Sequence, residues 1–295
     1  MKNSNTMQMQ ETGKSSKTMP IVRRTDFQHG SATPRYWFKG NALATHFNNA
    51  MHMVFPDGEQ LFIRSVRAFA NEIQDENLKE RVKAFIGQEV QHGLEHKKFW
   101  QILESQGLKP GDFAKWFNQL AFENFEPLGI KVFGKSGPLA VTAALEHYTA
   151  IMAEMAFQKD SELFEGLPEE MKNMLLWHAA EEIEHKAVAF DVLKKVDDSD
   201  YIKIMGMLVA SAGLWFFVFS GMLHFMRNDK ELGLTKILQD IPDFLFGQKK
   251  LAGSILDRLF DYFRSDFHPD DHNSLELVQN FLNSGKIPLK EKLSA

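Results

Sequence analysis

The sequence contains no cysteine. This absence excludes disulfide bonds, cysteine-ligated zinc, iron–sulfur clusters and thiolate-ligated haem. Any metal site in the chain must therefore use histidine, aspartate, glutamate or backbone oxygen atoms as ligands.

The chain also lacks an excess of positive charge. Its 34 lysines and arginines are outnumbered by 39 aspartates and glutamates, which gives a formal net charge of −5. Nucleic-acid-binding domains carry basic patches, so we expect no nucleic-acid partner. Residues 1–20 are polar and have no apolar run typical of a secretory signal, so we expect a disordered tail and a cytoplasmic protein.

Turn signals and strand-like alternation are scarce after residue 41. In residues 76–105, by contrast, apolar residues such as Leu78, Val82 and Phe85 recur every three or four positions, which is typical of an amphipathic helix. We predict an all-α protein. The predicted helices lie near 41–54, 57–74, 76–105, 112–132, 138–160, 168–196 and 201–227, with shorter helices after 231.

One long run carries no formally charged residue: IMGMLVASAGLWFFVFSGMLHF, at 204–225. About 20 apolar residues suffice to cross a bilayer. A helix buried inside a large bundle has the same composition, however. Two alternatives therefore stay open for this run: insertion into the membrane or attachment to its inner face, and burial in the core.

Two Glu-x-x-His pairs are candidate metal ligands. They are Glu89 with His92 and Glu182 with His185, and residues three apart lie on one face of a helix. With 22 glutamates and 11 histidines in the chain, roughly 0.8 such pairs are expected by chance. The pairs alone are therefore weak evidence.

The order of the acidic residues strengthens this interpretation. Glu59 lies 30 residues before Glu89, and Glu146 lies 36 residues before Glu182, each on a different predicted helix from its partner. Four-helix bundles with a di-iron or di-manganese site use this inventory: one Glu from each of two helices and a Glu-x-x-His pair from each of the other two. Four carboxylates would also balance the charge of two divalent ions.

Five segments carry a resemblance to known proteins: VRRTDF at 22–27, FPDGE at 55–59, QEVQHGLEH at 88–96, ALEHYTA at 144–150 and HAAEEIEHKAVAFDV at 178–192. With them the sequence resembles the ferritin-like di-iron carboxylate superfamily and, more narrowly, a bacterial family of predicted metal-dependent hydrolases. The resemblance implies a ferritin-like four-helix bundle. It also implies six metal ligands: Glu59, Glu89, His92, Glu146, Glu182 and His185.

The first of these ligands follows a predicted helix break. Glu59 comes directly after Pro56-Asp57-Gly58, which places it in the first turn of the predicted helix 57–74. Glu72 is the alternative ligand on that helix. It lies only 17 residues before Glu89, too close to the turn to face it, so Glu59 is preferred.

Other residues near the pattern have less defined roles. His96 and His178 fall on the ligand-bearing faces, where each is an additional ligand or a hydrogen-bond partner of a ligand. We expect Glu95, Glu181 and Glu184 to point away from the metals, towards solvent or cations. The remaining candidates are His52 at the entrance of the site, Asp191 orienting a ligating histidine, and His268 with His272 in a solvated loop or binding a metal.

We predict that residues 21–197 form the metal-binding bundle and residues 198–295 a C-terminal helical extension containing the apolar helix 201–227. Carboxylate and imidazole ligands suit Fe(II) or Mn(II). The main functional expectation is an O2-dependent oxidase or oxygenase with two iron or manganese ions, a hydrophobic or aromatic substrate and an electron donor. One alternative is a metal-dependent hydrolase that uses a metal-activated water. The other is a non-enzymatic protein, either iron-binding or a membrane-anchored helical module.

Overall fold

A computed structural model describes residues 18–28, 33–158, 161–247 and 256–290. Of the predicted tail, 1–20, residues 1–17 lie outside the described residues; residues 18–20 are ordered against the bundle, where Arg81 donates to the carbonyl of Thr18 at 3.2 Å. Within these ranges the protein is all-α, as predicted, and an isolated bridge pairs Thr25 with Leu289. The α-helices are α1 Ala42–Arg67, α2 Glu76–Ser105, α3 Pro110–Asn118, α4 Glu126–Phe133, α5 Ser136–Ala156, α6 Glu169–His185, α7 Val188–Val196, α8 Asp200–Asn228, α9 Leu234–Phe246 and α10 Leu275–Leu282. A π-helix, Gln119–Phe125, joins α3 to α4, a 3-10 turn spans Pro269–Asp271, and residues 256–261 are helical.

Four of these helices surround a common interior. Helix α1 packs against α2 and α5, and α6 packs against the same two helices. Apolar clusters fill both ends of this interior, one around Phe85 and Phe190 and the other around Phe99 and Trp177. These four helices form the expected four-helix arrangement. The middle of its interior lies between the two apolar clusters. Membership of the ferritin-like superfamily stays a prediction.

The predicted break at Pro56 is wrong, because α1 runs through it. Asn41 caps the helix by accepting a hydrogen bond from the amide of Ala44. Proline has no N–H to donate to the carbonyl four residues earlier, which belongs to His52. The indole Nε1 of Trp100 donates to that carbonyl instead, at 3.2 Å. Glu59 therefore lies in the middle of a long helix rather than in its first turn.

Two other predicted helices are divided. The segment 112–132 is interrupted by the π-helix, in which the side-chain amide of Asn124 donates to the carbonyl oxygen of Gln119. The segment 168–196 is interrupted directly after His185 by a turn at Lys186 and Ala187. Glu72, the alternative first ligand, lies beyond the end of α1 and is exposed.

Helix α8 matches the predicted apolar helix, and one of its faces is packed against the bundle. A Cβ atom on Gly206 would lie 2.6 Å from Ala140 of α5, and one on Gly221 would lie 2.8 Å from Ala50 of α1. The helix is long and apolar enough to cross a membrane, and 39% of its most apolar stretch is buried inside the protein. Its exposed apolar residues include Leu208, Val209, Trp215, Phe216, Phe219 and Leu223. Both alternatives for 204–225 therefore keep some support.

Candidate metal centre

The structure brings the six predicted ligands together at the middle of the bundle. Each of the six is at most 4% exposed. Three groups of residues each hold potential ligand atoms within 4.8 Å of one another: Glu89, Glu146 and His185; Glu89, His92 and Glu182; and Glu59, His92 and His178. These groups share members, so the six residues and His178 form one continuous cluster.

Most potential ligand atoms in this cluster have no hydrogen-bond partner among the described residues. They are both carboxylate oxygens of Glu59, Glu89 and Glu146, Oε2 of Glu182, Nδ1 of His92 and Nε2 of His185. Burying polar atoms without partners is costly. Cations bound between these atoms would remove that cost. The donor set, four carboxylates and imidazoles without thiolate, fits iron or manganese.

One end of the cluster is organised around His185. Its Nε2 lies 3.2, 3.3 and 3.4 Å from carboxylate oxygens of Glu89, Glu146 and Glu182. Its Nδ1 lies 3.0 Å from Oε1 of Gln88, whose amide nitrogen donates to Glu184. An amide oxygen only accepts, so Nδ1 carries a proton and Nε2 is the nitrogen that faces the carboxylates. His185 is therefore oriented so that Nε2 can bind a metal once the proton on Nε2 has been displaced.

His92 is oriented by a second carboxylate. Its Nε2 lies 3.2 Å from Oε2 of Glu181, and the other oxygen of Glu181 accepts from Trp177 Nε1 at 2.9 Å. The Nδ1 of His92 then faces Glu182 at 3.4 Å and Glu89 at 3.9 Å. A carboxylate behind a ligating imidazole is a common way of fixing its tautomer and orientation.

The prediction that Glu95, Glu181 and Glu184 reach solvent is wrong, because all three are buried. The alternative, that they meet cations, is confirmed. Arg23 lies 3.0 Å from Glu181 and 2.8 Å from Glu184, and Lys98 lies 2.9 Å from Glu95. Arg23 belongs to VRRTDF, one of the segments that carry the family resemblance. Nothing in the sequence indicated that Arg23 pairs with Glu181 and Glu184.

A row of histidines extends from Glu182. His178 Nε2 lies 2.8 Å from Glu182 Oε1, His178 Nδ1 lies 2.9 Å from His96 Nε2, and His96 Nδ1 lies 2.7 Å from His52 Nδ1. His178 is thus within reach of a metal, whereas His96 contacts His178 and lies 3.7 Å from Glu59. His52 is buried, so its predicted place at the entrance is wrong.

The remaining sequence candidates lie away from the cluster. Asp191 pairs with Arg81 at 2.5 Å and with His268 at 3.0 Å, and neither partner belongs to the ligand groups. His272 Nε2 lies 3.3 Å from Asp261. These contacts connect the C-terminal segment to α2 and α7 and do not orient a ligand.

Burial and neighbouring charges shift the pKa values of the groups in the cluster. Burial, reinforced by the neighbouring carboxylates, raises the pKa of Glu59 and Glu89 well above the usual range, and burial raises the pKa of Glu146 to about 7. Burial opposes ionisation of Glu182 too, but the neighbouring His185 holds the pKa of Glu182 well below its ordinary value. Burial alone would lower the pKa of His185, yet Glu146 and Glu182 hold it well above its ordinary value. Metal binding must therefore displace protons from this cluster.

Comparison with known proteins supports this chemistry. The profile of the family described as "predicted metal-dependent hydrolase" matches residues 21–273. The chain belongs to that family. The matched region includes Arg23, all six predicted ligands and helices α1 to α9. No curated protein and no solved structure matches the chain significantly. The family description favours the hydrolase alternative over the oxygenase expectation.

Proposed function

We propose that this chain is a metal-dependent enzyme with a dinuclear centre. Glu89, Glu146 and His185 would hold one ion, and Glu59, His92 and His178 the other. Glu182 would lie between the two ions, since its oxygens are 3.4 Å from both His92 and His185. The observation that supports this proposal is the set of buried ligand atoms that lack hydrogen-bond partners and point to one place.

Hydrolysis is the reaction class that we propose first, on the strength of the family description. When bound, two divalent ions would lower the pKa of a water molecule and polarise a substrate oxygen or, if redox-active, would pass electrons to O2. The chain's own contribution is to fix the donors: Gln88 orients His185, and Glu181 orients His92. The aromatic side chains of Phe85 and Trp177, which face these two imidazoles, help to exclude bulk water.

O2-dependent oxidation of an apolar substrate is the second candidate. The donor set favours it, because four carboxylates and no thiolate suit redox-active iron or manganese better than zinc. This reaction would need an electron donor. Iron binding without catalysis is the remaining outcome of the tests below.

Metal analysis tests the centre itself. Purified protein loaded with iron or manganese should contain about two ions per chain, and Glu146→Gln should lower that content to one ion or fewer. Glu154→Gln is the matched control, since Glu154 lies on the same helix, is also buried, and pairs with Lys186 outside the cluster. Equal metal content in the two variants would contradict the proposal.

Reaction assays separate the two chemistries. Turnover of ester or phosphoester substrates by the loaded protein without O2 would support hydrolysis. Uptake of O2 by the reduced protein, with no anaerobic turnover, would support oxidation. Loaded protein that is inactive in both assays against a broad substrate panel would favour a role in iron binding.

A further inference from the structure

An apolar cavity lies beside the metal cluster, between α1, the π-helix with α4, α5 and α8. Its volume is about 220 Å³, and its walls are mostly aliphatic and aromatic side chains. Representative lining residues are Leu61, Phe62, Phe122, Val141 and Leu214. A cavity with such walls excludes substrates that carry charge along their length.

The lining residues give the cavity an elongated form. They extend along α5 from Gly137 to Met152 and along α8 from Ile202 to Phe217. Fifteen residues of α-helix correspond to about 22 Å. The cavity, which we call the channel, is therefore elongated along α5 and α8. The dimensions therefore favour a thin, flexible molecule over a bulky ring system.

One side of the channel adjoins the metal cluster. Gly58 and Leu145, which directly precede Glu59 and Glu146 in the sequence, line it. Phe55 also lines it, and the ring of Phe55 lies 5.0 Å from His96 and 5.5 Å from His178. Phe55 therefore forms the wall between the channel and the histidines of the site.

The channel also reaches the protein surface. Phe125 and Val209 line it and are 52% and 46% exposed. Further exposed apolar residues, Leu128 and Leu208, lie on the same helical segments. A hydrocarbon chain could thus enter at an apolar mouth and end beside the cluster, passing one charged lining residue, Glu126, whose carboxylate is paired with Arg64 at 2.7 Å.

We propose that the channel binds the long hydrocarbon chain of an acyl or alkyl substrate and presents it to the metal centre. The substrate class rests on the proposed enzymatic function, whereas chain binding itself does not depend on the metals. Each methylene removed from water should tighten binding about two- to fourfold, until the channel is full. Affinity should therefore rise with chain length and then level off.

The test is a competition assay with the fluorescent fatty acid cis-parinaric acid, on metal-free and on metal-loaded full-length protein. Octanoate, dodecanoate and hexadecanoate should displace the probe with increasing affinity. Phosphatidylcholine vesicles form a second arm: displacement by vesicles would identify a membrane lipid as the source of the chain, and displacement by dispersed hexadecanoate alone would identify a free amphiphile. Displacement by phenanthrene as effective as that by hexadecanoate would overturn the proposal in favour of an aromatic substrate.

Channel-filling variants make the assay specific. A side chain added at Gly129 or Gly213 meets open space, and both residues line the channel away from the proposed ligands. Gly129→Leu and Gly213→Leu should each weaken probe binding at least about tenfold with unchanged metal content. Gly111→Leu is the control, since Gly111 also faces open space, on α3, and does not line the channel.

Equal probe binding by the channel variants and the control would overturn the proposal. Failure of the metal site would appear differently, as intact probe binding by a protein that holds no metal.

Discussion

At the scale of single residues, side chains from distant parts of the sequence decide how the ligands are held. Pro56 would leave the carbonyl of His52 without its helical donor, and Trp100 of α2 supplies one. The contact supplies this carbonyl with a donor at the point where α1 continues past Pro56 towards Glu59. The same contact ties α1 to α2 close to the site.

Removal of the indole N–H should therefore destabilise the protein. We expect Trp100→Phe to lower the free energy of unfolding by about 1–3 kcal/mol, because a buried carbonyl loses its donor. In a Pro56→Ala background the cost should shrink, since the new amide can donate to the same carbonyl. Urea unfolding of the two single variants and the double variant measures this coupling, and strictly additive effects would contradict it.

Glu181 should matter for metal binding although it is not a proposed ligand. Glu181→Ala removes the partner that orients His92, so we expect metal affinity to fall roughly 10- to 100-fold. Glu170→Gln, an exposed change on the same helix, should leave the affinity unchanged. Titration with Mn²⁺ measures both variants, and equal affinities would show that His92 needs no support from Glu181.

The sequence indicated which side chains share the buried cluster better than it indicated the residues that orient them. Glu182 and His185 could be paired from sequence because helical periodicity puts residues three apart on one face. The role of Glu181 could not, since its partner Arg23 lies 158 positions earlier and reaches it only through tertiary packing. Pro56 shows the same limit: a local break signal was overridden by a donor from another helix.

At the scale of elements, close helix contacts fix α8 on the bundle. Gly206 of α8 approaches Ala140 of α5 so closely that a Cβ atom would lie 2.6 Å from its backbone carbon. Gly213, two turns later on the same helix, faces the open channel. A side chain is therefore excluded at Gly206 and tolerated at Gly213, although both residues lie in the same helix.

Alanine substitutions should reveal this difference. Gly206→Ala should lower the free energy of unfolding by about 1–3 kcal/mol, because α5 and α8 would have to separate. Gly213→Ala should raise it by up to about 1 kcal/mol, because alanine favours the helix. Urea unfolding with a common m-value measures both changes, and a stabilising effect of Gly206→Ala would refute the close packing.

At the scale of the whole molecule, the buried carboxylates make the metal-free protein sensitive to pH. The pKa of Glu59 and Glu89 is raised well above the ordinary value, and that of Glu146 is raised to about 7. A carboxyl group whose pKa is higher in the folded state than in the unfolded state favours folding while it is protonated. Its contribution to stability is complete below the unfolded-state pKa and is lost as the pH rises through the folded-state pKa. Glu182, with its lowered pKa, has the opposite sign, and its contribution is lost only in acid.

Metal-free protein should therefore lose stability between roughly pH 5 and pH 8, by an amount on the order of 3 kcal/mol from Glu146 alone. Added Mn²⁺ should restore stability most at the upper end of this range, because the ion replaces the protons. Thermal unfolding across the range, with and without the ion, measures both effects. A melting temperature that rises with pH in metal-free protein would contradict this expectation.

The outer face of α8 suggests how the molecule could meet a membrane. Crossing a bilayer would require α8 to leave the core, where Val218 and Phe225 are fully buried. Contact through its exposed apolar face needs no such rearrangement, so we expect surface association.

Wild-type protein should float with phospholipid vesicles and be released from them by alkaline carbonate. A variant with Leu208, Phe216 and Phe219 changed to Gln should not float, whereas a Val90→Gln, Leu94→Gln control on α2 should behave like wild type. Resistance to carbonate would instead indicate a spanning helix.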